Sequence, residues 1–336
     1  MKIIRTDREL ECPRIDATLR AEGHDLTLLP EGIAEDALVE AVADADLVLM
    51  CYTPVTARVI AAAPNLRGIV KYGVGIDAID IPSATARGIP VVNIPEYAEN
   101  TVAEGAFALL IALTRKLAPL HLAMRADGWA WPEPRWLGAD IAGKTLGLIG
   151  VGRIGRAMAR MAGAGFGARV LGCNPGMDAE TMRAAGVEPR DDLHSMLGEC
   201  DFVSIHCTLN DTTRGLIGAA ELATMRPGAI LINVSRGAII DEAALLAALR
   251  SGHLGGAGLD VFAREPLDRA AHPLAPLFDM DNVLLTPHLT FYTTEAMERL
   301  ETETLERCRE LIEARPVTVK SRDPRLRAQT TGIRFA

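Results

Sequence analysis

The chain has 336 residues, which at ordinary domain sizes points to about two domains, each large enough to bury its own core. Its 35 Lys+Arg against 44 Asp+Glu leave a net charge of −9, which argues against binding nucleic acid or an anionic membrane surface and points to small molecules as partners. Hydrophobic residues at 49% and charged residues at 24% exclude long-range disorder.

Short apolar, β-branched runs alternate with longer amphipathic stretches, the pattern of a parallel sheet with helical crossovers, so the fold class is α/β. The first hundred residues carry predicted strands at 45–50, 68–71 and 90–94, with a helix around 35–43. A long helix begins near Asn100, a good N-cap, and TVAEGAFALLIALTRKL has helical composition. The strand pattern restarts at 145 with TLGLIG and continues in runs at 168–172, 202–206, 229–234, 256–261 and 282–286. Six strands are the count of a complete dinucleotide-binding sheet. Charges at i,i+4 spacing predict a helix over 292–315, and the basic, aperiodic tail 316–336 is expected to be irregular. The six cysteines, at 12, 51, 173, 200, 207 and 308, lack CxxC pairing and zinc-ligand spacing, so no disulfide framework and no metal is expected, and a reduced, cytoplasmic setting fits. The opening MKIIRTDREL is charged where a signal peptide needs apolar residues, and the run at 105–113 falls short of the roughly 18 apolar residues of a membrane span.

The segment TLGLIGVGRIG places GxGxxG after a strand and at the start of a helix. Gly150 allows the tight turn, Gly152 the approach of backbone to a pyrophosphate, and Gly155 close helix–strand contact, with the amides of Arg153 and Ile154 facing the phosphates. The fingerprint expects an acidic residue at the end of the next strand to bind the ribose hydroxyls, and Asn174 stands there. A neutral amide still hydrogen-bonds a hydroxyl but does not repel a 2′-phosphate. Pro175 and Gly176 offer no Arg for that phosphate, so NAD is the expected cofactor and NADP is not strictly barred.

Three polar residues fall at the C-terminal ends of later strands, where ligands bind in open α/β sheets: Arg236, Glu265 and His288. With the motifs GLIGVGRIG, INVSRGAIIDEAAL, GLDVFAREPL, LLTPH, KYGVGIDAID and NTVAEGAFALL, the sequence resembles the D-isomer-specific 2-hydroxyacid dehydrogenases from about 45 to 315. The resemblance implies His288 as general acid/base, Glu265 as its charge partner and Arg236 as substrate anchor. The chemistry agrees with those roles: reduction of a 2-oxo acid needs a hydride at the carbonyl carbon and a proton at its oxygen, a carboxylate favours and orients an imidazolium, and a guanidinium fork holds a carboxylate. It further implies backbone amides of Val74 and Gly75 as a second carboxylate clamp. Thr208, Val234 and Ser235 become cofactor contacts, Asp260 a partner of the nicotinamide carboxamide, and Thr101 a nicotinamide neighbour. Thr208 departs from the family, where Pro is common. The resemblance also implies two Rossmann-like doubly wound parallel-sheet domains. An NAD-binding domain at 100–289 is inserted in a flavodoxin-like substrate domain made of 1–99 and 290–336, and a homodimer is the implied assembly. His206, at a strand end, is expected to be a packed structural residue, and Asp77 to fix its loop.

Phosphoglycerate dehydrogenases of this family present Arg at the place of Met50-Cys51-Tyr52-Thr53, where this chain has no basic residue before Arg58. The run Leu289-Thr290-Phe291-Tyr292-Thr293 is similar to that of D-lactate dehydrogenases and VanH-like enzymes, and Tyr52 and Phe291 are candidates for an apolar wall around a short side chain. The expected function is NAD(H)-dependent interconversion of a small, unphosphorylated 2-oxo acid and its D-2-hydroxy acid. Glyoxylate or hydroxypyruvate reduction, a phosphoglycerate dehydrogenase-like activity and a non-enzymatic NAD-sensing, corepressor-like role are the alternatives.

Overall fold

In the computed structural model, which describes residues 1–336, two parallel sheets belong to two units, Met1–Ala98 with Thr293–Ala336, and Glu99–Tyr292. The first unit holds strands β1 (Lys2–Arg5), β2 (Asp25–Leu28), β3 (Leu47–Met50), β4 (Gly68–Lys71) and β5 (Val91–Asn93) in the order β2-β1-β3-β4-β5. Strands β3, β4 and β5 are buried throughout, which is why they read as uninterrupted apolar runs. Two strands were not expected. β1 is short and ends in Arg5, a charge that breaks the apolar pattern, yet Arg5 is only 1% exposed. Its guanidinium pairs with both carboxylate oxygens of Asp16 at 2.8 and 2.9 Å and donates to the Leu10 carbonyl and the Tyr72 hydroxyl, so burial leaves no donor cost. β2 is a half-exposed edge strand.

The helix Thr294–Ile312 belongs to this unit and packs on the helix Pro13–Ala21 and on β4. Its buried Glu301 accepts from the amides of Arg14 and Ile15 at 2.8 and 3.0 Å, a carboxylate at the positive end of a helix dipole. A side chain at Gly68 would stand 2.6 Å from Leu311, so glycine permits that contact.

The second unit holds seven parallel strands: β6 (Thr145–Ile149), β7 (Arg169–Cys173), β8 (Glu188–Pro189), β9 (Phe202–Ile205), β10 (Ile230–Asn233), β11 (Gly256–Leu259) and β12 (Val283–Leu285), in the order β12-β11-β10-β9-β6-β7-β8. The strand beyond the expected six is β8, a two-residue edge whose Glu and Pro give no strand signal. Successive residues face opposite clusters: Leu231 joins one apolar core, while Ile230 and Ile232 join the other with Phe107, Leu109 and Leu113 of the helix Glu99–Thr114. That helix supplies core, and no single helix in the chain is long and apolar enough to cross a membrane.

The tail corrects the expectation of irregular structure. Strands β13 (Val317–Val319) and β14 (Ile333–Phe335) pair in parallel, with a short helix Pro324–Arg327 between them. Gln329 is buried, its Oε1 accepting from the Val91 amide at 2.7 Å while its Nε2 donates to the Val91 carbonyl at 2.9 Å. One side chain thereby takes the place of a neighbouring strand beside β5. Arg325 lies 3.7 Å from Asp77, which ties the tail to the Gly73–Asp77 loop. The partners lie 238 positions apart, so local periodicity carried no sign of them. Gln329→Ala is expected to cost about 2 kcal/mol in denaturant-induced unfolding, because both Val91 groups lose their partners; a change below about 0.5 kcal/mol would contradict this role.

Candidate active site

The glycine turn lies between β6 and the helix Arg153–Arg160, at the point where the strand order reverses. Gly150 has φ +95°, and a side chain there would stand 2.6 Å from the Cys207 amide nitrogen. A side chain at Gly155 would stand 2.2 Å from the Gly150 carbonyl oxygen, so neither position admits one. At Gly152 no atom lies within 4 Å of an added side chain, and no side chain caps the helix it starts. The first amides of that helix, with Arg153 and Ile154, thus face open space with the positive end of the dipole, which fits a diphosphate. Arg153 also lies 3.9 Å from Glu99.

Asn174 follows β7 as expected, but its side-chain oxygen accepts from the Val151 amide at 2.8 Å. It therefore pins the glycine turn, and its Nδ2 is the donor it can offer a ribose oxygen. Cys207 and Thr208 follow β9. The Ser235 hydroxyl donates to the Cys207 carbonyl, and the Thr213 hydroxyl donates to the Thr208 carbonyl at 2.7 Å. Val234 is buried in the core. Thr101 is buried near the start of the helix Glu99–Thr114. His206 is a packed residue whose Nε2 lies 2.9 Å from the Ser204 hydroxyl, and burial pushes its imidazole down to about 4.

Arg236 stands on the turn after β10. Asn233, wholly buried at the end of that strand, accepts from the Ser235 amide at 3.0 Å and donates to the Arg236 carbonyl at 2.9 Å. The Arg236 guanidinium itself donates to the Ser235 carbonyl at 2.7 Å. A side chain at Gly237 would stand 1.9 Å from the Phe262 carbonyl carbon, so this glycine lets the Arg236 turn press on the segment that leads to Glu265. Glu265 accepts from the Phe262 amide at 2.8 Å through Oε1, while Oε2 lies 2.8 Å from Nδ1 of His288. Burial opposes the ionisation of Glu265, but the hydrogen bond and charge of His288, the Phe262 amide and the charge of Arg236 outweigh it and hold the carboxyl below its usual range.

His288 has φ +57°, a strained conformation for a residue with a side chain. The loop is held there by Asp260. The Asp260 carbonyl accepts from the His288 amide at 2.8 Å; its carboxylate accepts from the hydroxyls of Thr286 and Thr290, both at 2.6 Å, and from the amides of Leu289 and Thr290 at 2.9 and 3.1 Å. Both carboxylate oxygens of Asp260 thus hold the histidine loop. Phe291 is buried and meets His288 edge to face at 6.5 Å, so it buttresses the imidazole. A side chain at Gly105 would stand 2.7 Å from Thr290, which makes this mid-helix glycine part of the same support. Its only sequence signal was a glycine inside a helical pattern.

In the first unit, Tyr52 follows β3, and Val74 and Gly75 follow β4. The Val74 carbonyl accepts from Nδ2 of buried Asn93 at 2.6 Å, which fixes the loop. A cation does lie beside Tyr52, although not within its loop. Lys71, at the end of β4 and 5% exposed, donates to the Cys51 carbonyl, lies 3.2 Å from the Cys51 sulfur and stands 5.4 Å from the centre of the Tyr52 ring.

Residues 107–290 match the family described as D-isomer specific 2-hydroxyacid dehydrogenase, NAD binding domain. The chain is 41% identical, over 81% of its length, to a D-3-phosphoglycerate dehydrogenase of Mycobacterium leprae, of which it spans 50%. It thus covers about half of the phosphoglycerate dehydrogenases that it matches. It is 42% identical to a glyoxylate reductase of Korarchaeum cryptofilum, with 78% of each chain covered. The structure is similar to that of a D-lactate dehydrogenase of Aquifex aeolicus solved with NAD and lactic acid, at a TM-score of 0.83 and 27% identity, covering 93% of this chain and 95% of the other. A strand–glycine turn–helix unit, a His–Glu pair beside an Arg and these likenesses agree: the chain belongs to the D-isomer specific 2-hydroxyacid dehydrogenase family, and its second unit carries that family's NAD-binding domain.

Proposed function

We propose that the chain is an NAD(H)-dependent oxidoreductase that interconverts a small, unphosphorylated 2-oxo acid and its D-2-hydroxy acid. The observation that carries this is the 2.8 Å contact between His288 Nδ1 and Glu265 Oε2, with Arg236 close enough for its charge to favour the ionised Glu265. The nicotinamide cofactor supplies the hydride for the carbonyl carbon. Nδ1 is directed to Glu265, so Nε2 of the protonated ring delivers the proton to the carbonyl oxygen and recovers it in the reverse direction. Glu265 is held ionised and stabilises the imidazolium without itself exchanging a proton. Arg236 binds the substrate carboxylate and polarises the adjacent carbonyl; in the first unit, the amides of Val74 and Gly75 are carboxylate-binding groups. Thr208, Val234, Ser235 and Thr101 line the cofactor site. Of the two cofactors, NAD is favoured, since Pro175 and Gly176 bring no cation for a 2′-phosphate.

The absence of Arg from Met50–Thr53 supports an unphosphorylated acid. The competing reading, a phosphorylated acid, draws on Lys71 and on the phosphoglycerate dehydrogenase relatives. Steady-state NADH oxidation with pyruvate, glyoxylate, hydroxypyruvate, phenylpyruvate and 3-phosphohydroxypyruvate decides between them. One of the first four is expected to have the highest kcat/KM, and a clear preference for the phosphorylated acid would overturn the proposal. His288→Ala is expected to lower kcat by about 10²-fold or more while NADH binding, followed by fluorescence titration, stays within about two-fold, because an acid/base has been lost and not a cofactor contact.

A homodimer and a cytoplasmic location are proposed as well. The helix Leu117–Asp127 buries none of its residues, and Trp129, Trp131 and Leu137 after it are 61%, 72% and 79% exposed. Such a contiguous apolar stretch suits a subunit interface. All six cysteines are unpaired thiols, which supports a reducing compartment. Light scattering is expected to give twice the 36.0 kDa chain mass, and Trp131→Ser with Leu137→Ser to give the single mass; a monomeric wild type would contradict the assembly.

A further inference from the structure

The first unit contains a buried anion that the proposed chemistry does not use. Asp7 lies just beyond β1, with no exposure and φ +57°, a conformation that a residue with a side chain adopts only when its surroundings impose it. Its carboxylate accepts from three consecutive backbone amides at the end of β3: Cys51 at 2.8 Å, Tyr52 at 3.0 Å and Thr53 at 3.0 Å. The hydroxyls of Thr6 and Thr53, both at 2.6 Å, complete the set. Neutral N–H and O–H dipoles are thus the groups that contact this carboxylate. Successive amides turned to one point form a nest of the kind that binds phosphate and other anions. It stands at the carboxyl edge of the sheet, where open α/β sheets bind their ligands. Here the fold fills its own nest.

We infer that Asp7 determines substrate specificity, holding Tyr52 in place through the Cys51–Thr53 amides and denying those amides to an anionic group on the substrate's far end. This deepens the functional reading above and rests on it. Lys71 adds a second hold on the same segment, its ammonium bonded to the Cys51 carbonyl and 5.4 Å from the centre of the Tyr52 ring. With the nest occupied, a substrate tail meets an aromatic side chain and not a ring of donors. An uncharged tail is accommodated, and a phosphorylated one finds its amide partners taken. Asp7 touches no substrate atom and acts as a positioning residue.

The test compares wild type, Asp7→Ala and Thr53→Val on pyruvate and 3-phosphohydroxypyruvate, with NADH dissociation constants measured alongside. In Asp7→Ala the nest is vacated and Tyr52 released. KM for pyruvate is expected to rise about ten-fold, the effect of losing hydrogen bonds to a charged group. The ratio of kcat/KM for the phosphorylated to the plain acid is expected to rise by a similar, roughly ten-fold factor, with NADH affinity within about two-fold of wild type. Thr53→Val keeps the carboxylate and removes one of its donors, so a rise of about three-fold in the KM for pyruvate is expected even if Asp7→Ala does not fold. An unchanged substrate ratio in a folded Asp7→Ala, equal losses on both acids, or an unaltered KM in Thr53→Val overturns the inference. Wild-type turnover separates this failure from that of the functional reading. An enzyme active on plain 2-oxo acids whose variants keep its selectivity removes the role of Asp7 alone, whereas no turnover with any 2-oxo acid removes both.

Discussion

The candidate site depends on a buried carboxylate that is satisfied by backbone amides and threonine hydroxyls. Asp260 is wholly buried, and the amides and hydroxyls it gathers hold the Thr286–Thr290 segment in the one shape that turns His288 into a left-handed conformation. A buried carboxylate left without donors is costly, and that cost enforces the geometry of the loop around it. Catalytic groups set on loops at the end of a rigid sheet need such a support, since a displacement of about an ångström in a proton donor is expensive in rate. Asp7 in the first unit has the same construction: an aspartate beyond one strand end organises the loop beyond another. In both places hydrogen-bond donors without formal charge surround the anion, so the loop geometry does not rely on exposed ion pairs that salt would weaken.

The glycines act through a different constraint, close approach. Gly150 and Gly155 bring the glycine turn onto the sheet, Gly237 brings the arginine turn against the segment leading to the glutamate, and Gly105 admits the threonine of the histidine loop. Each removes a side chain at a point where backbone meets backbone or a packed side chain. The Gly105 contact joins segments more than a hundred residues apart in sequence, while the others join nearer ones. Interiors pack too densely to yield at such contacts.

The residues proposed to carry the chemistry are the most legible part of the sequence. The glycine turn, Arg236, Glu265 and His288 follow strong strands at fixed places, and the proposed reaction calls for those side-chain types there. Their supports were less legible. Asn233, Asn93 and Asp7 are ordinary polar residues in sequence, and their importance comes from backbone groups they meet in the fold: the Ser235 amide and Arg236 carbonyl, the Val74 carbonyl, and the Cys51–Thr53 amides. Asp260 and Asn174 also hold neighbouring backbone amides, a role that a polar residue at a strand end does not reveal in sequence. The missing strands failed for related reasons. β1 carries a buried Arg whose partner Asp16 is on the following helix, β8 has only two residues, and the tail takes its order from the far side of the first sheet.

That last arrangement bears on how the protein behaves among other copies of itself. A sheet edge is a row of unpaired amides and carbonyls, a template on which a further strand can grow and from which fibrillar aggregates start. Beside β5 the template is closed at Val91 by the primary amide of Gln329, which presents one donor and one acceptor in the spacing of a peptide group. A side chain satisfies the edge and then ends it, because it offers no second edge on which pairing could continue.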